Sequence, residues 1–187
     1  MELNKIIDKI KSLLTTKRFN HVMSVANFAK DVAIHVNIDP DKAYLAGLLH
    51  DVAKQYDDKD LIELVQKYCP DKINYPLFAY HAYVSAYLAK TRFDIKDAEI
   101  LNAISSHCLA TYSMSPLDKL IFISDKIEPT RPFASYYDDV RKLIYEDLDK
   151  AFILLLVKEE AYLNNQGKEV VNLQDLINYY KGILNGR

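Results

Sequence analysis

The sequence predicts an all-α fold, a bundle of about eight to ten helices. Apolar residues recur at steps of three and four along most of the chain, which is the period of an amphipathic helix. Only four glycines are present, and no segment alternates strictly between apolar and polar residues as a half-buried strand would. We therefore predict that residues 1–187 form a single helical domain, in which about residues 145–187 are a C-terminal helical extension of the same unit.

The first two predicted helices are recognised by their apolar faces. An apolar stripe at helical spacing buries one side of a helix and leaves the other side in water. The apolar positions are Leu3, Ile6, Ile7, Ile10, Leu13 and Leu14 in the first helix, and Val22, Val25, Ala26, Ala29, Val32 and Ala33 in the second.

Helix-start signals mark the later helices. Asp39 followed by Pro40 supplies an N-cap and a first-turn proline for a helix that runs to about Lys54. Asp58 caps a short helix that follows. Three further helix starts are predicted, at Asp97, at Ser115-Pro116 and at Asn172.

The composition is that of an ordinary globular chain. Half of the residues are apolar and 27% are charged, which argues against disorder along most of the length. The net charge is -2, and the lysines and arginines are scattered among 26 acidic residues. Because binding to nucleic acid calls for a basic stripe, we expect no nucleic-acid partner. Any affinity for phosphate must therefore come from a few cationic side chains at one site.

The two cysteines, Cys69 and Cys108, form neither a zinc-finger spacing nor a disulfide framework, which favours a reducing compartment. The longest apolar run, residues 151–157, is far too short to span a bilayer, and charges interrupt the first residues where a signal peptide would be apolar. We therefore expect a cytoplasmic protein without a membrane partner. A homodimer is compatible with the sequence, which does not decide the oligomeric state.

Four of the five histidines fall into an ordered series with two aspartates. Imidazole and carboxylate ligands together suit iron, manganese, cobalt or zinc, whereas an oxygen-only set would indicate magnesium or calcium. Six ligands exceed the needs of one tetrahedral ion, which favours two ions. We call these residues the His/Asp series: His21, His50, Asp51, His81, His107 and Asp125.

The adjacent pair His50-Asp51 is the most informative part of the series. It ends the apolar run 45–49, where an ionised aspartate is costly unless something compensates its charge. Neighbouring side chains on a helix diverge by about 100°. We therefore expect the histidine to serve one ion while the carboxylate reaches between two.

A single histidine on a helix is more often satisfied or exposed than a metal ligand. His35 illustrates this alternative, because it follows His21 by 14 residues, about 21 Å along a continuous helix. It therefore lies too far away to share the same ion. The combination of six ligand residues, rather than any one of them, predicts a metal site.

The residues around the series resemble the HD-domain metal-dependent phosphohydrolases. The similarity extends over residues 17–163 and is strongest to the branch called YqeK, which implies a symmetrical bis(5'-nucleosyl)-tetraphosphate hydrolase. The segments that carry the resemblance are Arg18-Phe19-Asn20-His21-Val22, Ala46-Gly47-Leu48-Leu49-His50-Asp51-Val52-Ala53-Lys54, His81, Ala103-Ile104-Ser105-Ser106-His107 and Ser124-Asp125-Lys126-Ile127-Glu128-Pro129-Thr130-Arg131.

Two departures from that branch affect the shape of the pocket. After His107 the chain reads Cys108-Leu109-Ala110, where the branch usually carries threonine and glycine, and Thr130 stands where a small residue is common. Neither departure removes a ligand. We interpret Cys108 as a half-buried cysteine rather than a thiolate ligand, because its neighbour His107 already fits.

The resemblance implies which residues of the His/Asp series bind each of the two ions. His21, His50 and Asp125 would hold one ion, His81 and His107 the other, and Asp51 would bridge the two. A hydroxide generated between the ions would attack an inner phosphorus of diadenosine tetraphosphate and give two nucleoside diphosphates. Iron is the metal that we favour, with manganese, cobalt and zinc as alternatives.

A polyphosphate substrate calls for cations beside the metal ions. We predict Lys54 and Arg131 as phosphate clamps and, with Asp51, as the catalytic residues, and Arg18 as a further substrate-binding residue. The alternative for each of these cations is a solvated surface charge. Glu128 is a candidate for orienting a ligand histidine or a water molecule.

Three functions are compatible with these residues. A dinuclear phosphohydrolase uses the whole His/Asp series. A mononuclear phosphomonoesterase acting on nucleoside monophosphates leaves His81 and His107 without a role. A non-enzymatic nucleotide sensor ranks last, because no proposed ligand is missing from the series.

Overall fold

The computed structural model describes residues 2–131, 134–167 and 173–186, apart from the side chain of Ala134. Within these residues it has ten α-helices and no strand, which confirms the predicted fold class and number of helices. None of the helices described combines the length and the apolar character needed to cross a lipid bilayer. The helices are α1 (Leu3–Leu13), α2 (Thr16–His35), α3 (Pro40–Leu49), α4 (Asp58–Tyr68), α5 (Tyr80–Arg92), α6 (Ala98–Ser106), α7 (Pro116–Ile127), α8 (Asp138–Leu143), α9 (Leu148–Asn165) and α10 (Leu173–Asn185).

Helix α3 lies at the centre of the bundle and contacts α2, α5, α6 and α7. Its closest partner is α2, and Gly47 makes this approach feasible. A Cβ atom on Gly47 would lie 2.8 Å from the Cα atom of Ala26. The backbones of α2 and α3 therefore nearly touch one turn before His50, which brings the end of α3 against the start of α2.

The C-terminal helices support the loop that follows α6. Helix α9 packs on α7, and α10 packs on α9. The hydroxyl group of Tyr180 in α10 donates a hydrogen bond to the carbonyl oxygen of Thr111 and accepts one from the backbone N–H of Met114, at 2.6 and 3.2 Å. These bonds anchor the segment between α6 and α7. The assignment of residues 145–187 as an extension of the same domain stays a prediction.

Three of the predicted helix starts have N-caps in the structure. The side chains of Asp39 and Asp97 accept hydrogen bonds from backbone N–H groups of the first turn. Ser115 forms a complete capping box with Asp118. Asn172 lies outside the described residues.

The predicted boundaries of α3 and α4 are wrong. Helix α4 begins at Asp58, so its N-cap position is Asp57. Helix α3 ends at Leu49 and not near Lys54. The physical reason is a tertiary contact, because the backbone N–H of Ala53 donates to the side-chain oxygen of Ser85 in α5 at 3.1 Å and so leaves the helical hydrogen-bond pattern.

We expect Gly47→Ala to lower the free energy of unfolding by about 1–3 kcal/mol, because the added methyl group meets the backbone of α2. Gly182→Ala in α10 is the matched control, since a Cβ atom there meets nothing within 4 Å. This control should be neutral or stabilising by roughly 0.5–1 kcal/mol. Urea denaturation measures both values, and a Gly47→Ala protein as stable as the parent would contradict the close packing.

Candidate metal centre

The six residues of the His/Asp series converge on one cluster. Asp125 is partly exposed, and the other five side chains are buried. The convergence follows from the packing of α3 against the four helices that carry the remaining residues. The residues are placed by α2 (His21), the end of α3 (His50 and Asp51), α5 (His81), the end of α6 (His107) and α7 (Asp125).

The carboxylate of Asp51 lies between two pairs of imidazoles. Its Oδ2 atom lies 3.4 Å from Nε2 of His50 and 3.8 Å from Nε2 of His21. Its Oδ1 atom lies 3.3 Å from Nε2 of His81 and 3.5 Å from Nε2 of His107. The two oxygens of one side chain therefore face two different groups of donors.

Asp125 completes the group on the Oδ2 side of Asp51. Its Oδ1 atom lies 3.0 Å from Nε2 of His21 and 3.6 Å from Nε2 of His50. Asp51 and Asp125 thus present one oxygen each to the same pair of rings. Two imidazole nitrogens and two carboxylate oxygens form a donor set that suits a divalent transition metal.

Three of the imidazoles are oriented by acceptors that face their Nδ1 atoms. His50 and His107 each direct Nδ1 at the carbonyl oxygen three residues earlier in the chain, at 2.7 Å in both cases. His21 directs Nδ1 at Oε1 of Glu128 at 3.1 Å. Because these acceptors bind an N–H group, each of the three rings carries a proton on Nδ1, and its Nε2 atom points into the cluster, where it can carry a second proton or bind a metal ion.

Glu128 is held firmly as a carboxylate. It accepts hydrogen bonds from the hydroxyl group of Ser24 and from the backbone N–H of Thr130, at 2.6 and 2.7 Å. Burial opposes the charged form, but His21 and these donors outweigh it and lower the pKa of Glu128 to about 2. The sequence suggested an orienting role for Glu128, and the structure places its oxygen against His21.

The cluster has a strong affinity for positive charge. Burial disfavours the imidazolium form of His50, but the carboxylates of Asp51 and Asp125 outweigh it and raise the pKa of His50 to about 9. Burial also disfavours the ionised carboxylates, yet the neighbouring imidazoles hold the pKa values of Asp51 and Asp125 well below the usual range. The fold therefore holds ionised carboxylates beside imidazole nitrogens in its interior, where they favour a bound proton or another cation.

Two buried atoms of the cluster have no hydrogen-bond partner within the part of the chain that the structure describes. They are Nε2 of His50 and Oδ1 of Asp51. Unpartnered buried polar atoms are costly, and native proteins nearly always satisfy them. A divalent cation would compensate both atoms, so the donor set and its electrostatics fit a metal.

Cys108 lies on the Oδ1 side of Asp51. Its Sγ atom is 3.2 Å from Nε2 of His81 and 3.2 Å from Nε2 of His107. Burial opposes the thiolate, but the two imidazoles outweigh it and lower the pKa of Cys108 to about 6. The sequence interpretation gave this residue no ligand role, although it stands next to His107 at a position where the chain departs from its family.

The three predicted substrate-binding residues, Arg18, Lys54 and Arg131, line one pocket of about 630 Å³ above the cluster. Arg18 donates to Oδ2 of Asp51 at 2.7 Å, and Arg131 donates to Oδ1 of Asp125 at 2.6 Å. Nζ of Lys54 lies 3.1 Å from Nε2 of His81. All three cations therefore lie between the buried cluster and the solvent.

Residues 18–130 match the HD-domain family. This match covers more than half of the chain, and the chain therefore belongs to the HD-domain family and is a hydrolase of that family.

Relatives of known name indicate which branch of the HD-domain family the chain resembles. The chain is 33% identical to the symmetrical bis(5'-nucleosyl)-tetraphosphatase of Staphylococcus aureus, over 96% of this chain and 95% of that protein. It is 34% identical to a probable nicotinate-nucleotide adenylyltransferase/Ap4A hydrolase of Mycoplasma genitalium, of which it spans only 47%, against 88% of its own length. These relatives confirm the resemblance to the YqeK branch.

A solved structure supports membership of the HD-domain family. The crystal structure of an HD-superfamily hydrolase of Clostridium acetobutylicum, described as involved in NAD metabolism, superimposes with a TM-score of 0.86 at 32% identity. The comparison covers 97% of this chain and 98% of that one. The fold and the chain length are therefore shared almost completely.

We expect Glu128→Gln to weaken metal binding by about 10–100-fold, because a neutral amide orients and polarises His21 less well than a carboxylate. Isothermal titration with Mn²⁺ measures the effect. Glu63→Gln on the exposed face of α4 is the charge-matched control. Equal affinities for the parent and Glu128→Gln would show that Glu128 does not support a metal ligand.

Proposed function

We propose that this chain hydrolyses dinucleoside tetraphosphates symmetrically and releases two nucleoside diphosphates, using two divalent metal ions. The observation that carries the proposal is the position of Asp51, whose two oxygens face two separate pairs of imidazoles. The substrate is supported by relatives that are named symmetrical bis(5'-nucleosyl)-tetraphosphatases.

The two proposed ion positions share the bridging carboxylate. His21, His50 and Asp125 would hold one ion, and His81 and His107 the other, with one oxygen of Asp51 in each position. Iron suits this mixture of imidazole and carboxylate donors, and manganese, cobalt and zinc are the alternatives. When bound, such ions make a hydroxide nucleophile available near neutral pH and neutralise charge on phosphoryl oxygens.

The residues above the cluster would bind the polyphosphate. Four cations line the pocket, and among its described lining residues Glu128 is the only carboxylate. The guanidinium groups of Arg18 and Arg131 each carry five N–H donors, so they can contact a phosphate while they remain bonded to Asp51 and Asp125. Lys54 would add a point charge beside His81.

The direct test is the identity of the products. We expect purified protein with a divalent metal to convert diadenosine tetraphosphate into two molecules of ADP, as measured by ion-exchange chromatography. Formation of AMP and ATP would contradict symmetric cleavage. Hydrolysis of AMP with no attack on the tetraphosphate would favour the mononuclear phosphomonoesterase.

A second test separates the dinuclear from the mononuclear centre. We expect His81→Ala and His107→Ala each to reduce the bound metal from about two ions per chain to about one and to abolish turnover. Elemental analysis and tetraphosphate hydrolysis give the two readouts. His35→Ala is the matched control, because His35 is an exposed histidine at the end of α2. Full activity in both His81→Ala and His107→Ala would contradict the dinuclear centre.

A third test concerns the phosphate clamps. We expect Lys54→Ala or Arg131→Ala to raise KM about 10–100-fold, the value of one charge-assisted hydrogen bond, while metal affinity changes little. Lys59→Ala, an exposed lysine on α4 outside the pocket, serves as the control. Unchanged steady-state kinetics in both variants would refute the clamp assignment.

A further inference from the structure

Three donor atoms on one side of Asp51 form a nearly equilateral triangle. The Nε2 atoms of His81 and His107 are 3.3 Å apart, and Sγ of Cys108 lies 3.2 Å from each of them. Tetrahedral coordination with bonds of about 2.0–2.1 Å to nitrogen and about 2.3 Å to sulfur needs donors roughly 3.3–3.6 Å apart. The triangle therefore has nearly the dimensions of three ligands around one ion.

A fourth donor is aimed at the same triangle. Oδ1 of Asp51 is buried, has no hydrogen-bond partner among the described residues, and lies 3.3 and 3.5 Å from the Nε2 atoms of His81 and His107. This observation is independent of the sulfur atom and itself points to a bound cation. Two nitrogens, one oxygen and one sulfur thus complete a four-donor set.

We propose that Cys108 is a fourth protein ligand at this position, beside His81, His107 and the bridging Asp51, and that its sulfur selects a thiophilic ion such as Zn²⁺ over Mn²⁺. The other position, formed by His21, His50 and Asp125, offers only nitrogen and oxygen. Soft thiolate ligands favour zinc, whereas carboxylates suit manganese as well. The two positions therefore differ in the metal that they prefer. This inference rests on the metal-dependent function proposed above and assigns Cys108 a role within it.

The chain provides its own control, because Cys69 is its only other cysteine. The Sγ atom of Cys69 faces the carbonyl oxygen of Tyr83 at 3.9 Å, and Cys69 belongs to none of the clusters of metal-binding type found among the described residues. Cys69→Ser keeps Cys108 as the single thiol. Cys108→Ser keeps Cys69 and replaces the proposed soft ligand with a hydroxyl group of similar size.

The experiment is a titration of the metal-free protein with Co²⁺ under anaerobic conditions and without substrate. A cobalt–thiolate bond produces a charge-transfer band in the near ultraviolet, which nitrogen and oxygen ligands do not produce. We expect the band in the parent and in Cys69→Ser, and its loss in Cys108→Ser and Cys108→Ala. Circular dichroism verifies that each variant is folded.

A competition between Zn²⁺ and Mn²⁺ tests the selectivity. We expect Cys108→Ser to weaken Zn²⁺ binding at one of the two positions by roughly 10-fold or more, while Mn²⁺ binding changes little. Cys69→Ser should match the parent with both ions. Equal preference for zinc in the parent and in Cys108→Ser would overturn the selectivity.

The cobalt titration distinguishes a failure of the Cys108 proposal from a failure of the proposed function. Two cobalt ions bound per chain without a thiolate band would overturn the role of Cys108 and leave the proposed function intact. No cobalt bound at all would overturn both. A band that persists in Cys108→Ser and disappears in Cys69→Ser would identify Cys69 as the thiolate ligand. That result would also refute the inference.

Discussion

The burial of the Asp51 carboxylate constrains how the helices around it pack. Moving such a charge out of water costs several kcal/mol unless partners compensate it. The chain supplies these partners from several helices, as four imidazoles and the guanidinium group of Arg18. This arrangement requires the ends of α3 and α6 to meet the faces of α2, α5 and α7, and the close contact at Gly47 allows them to do so.

The cluster is electrostatically asymmetric. Its interior gathers carboxylates and imidazole lone pairs, which attract cations, whereas the pocket above it is lined by lysine and arginine, which attract phosphate. A bound metal and a polyphosphate would therefore be drawn to adjacent layers of the same site. The two halves of the cluster also differ, because the half that contains His81 and His107 has the thiol of Cys108 within reach, whereas no cysteine joins His21, His50 and Asp125 among the described residues.

Local signals in the sequence predicted much of this arrangement. The capping box at Ser115 and the caps at Asp39 and Asp97 place helix starts correctly, because a cap acts within one turn. The end of α3 was predicted wrongly, because it depends on the hydrogen bond from Ala53 to Ser85, which lies 32 residues further along the chain. The start of α5 has no local signal either, because its N-cap residue Ala79 makes no side-chain cap. The convergence of the His/Asp series could be expected only from its order and its resemblance to a family, and its ligand roles stay predictions.

The proposed function requires that the carboxylate of Asp51 bridges two metal positions in the interior of the helical bundle. Diffraction from crystals of the metal-loaded protein, measured at the absorption edge of the bound metal, locates these ions. We expect two anomalous peaks about 3.5–4 Å apart, one on each side of Asp51. A single peak, or peaks remote from His81 and His107, would contradict it.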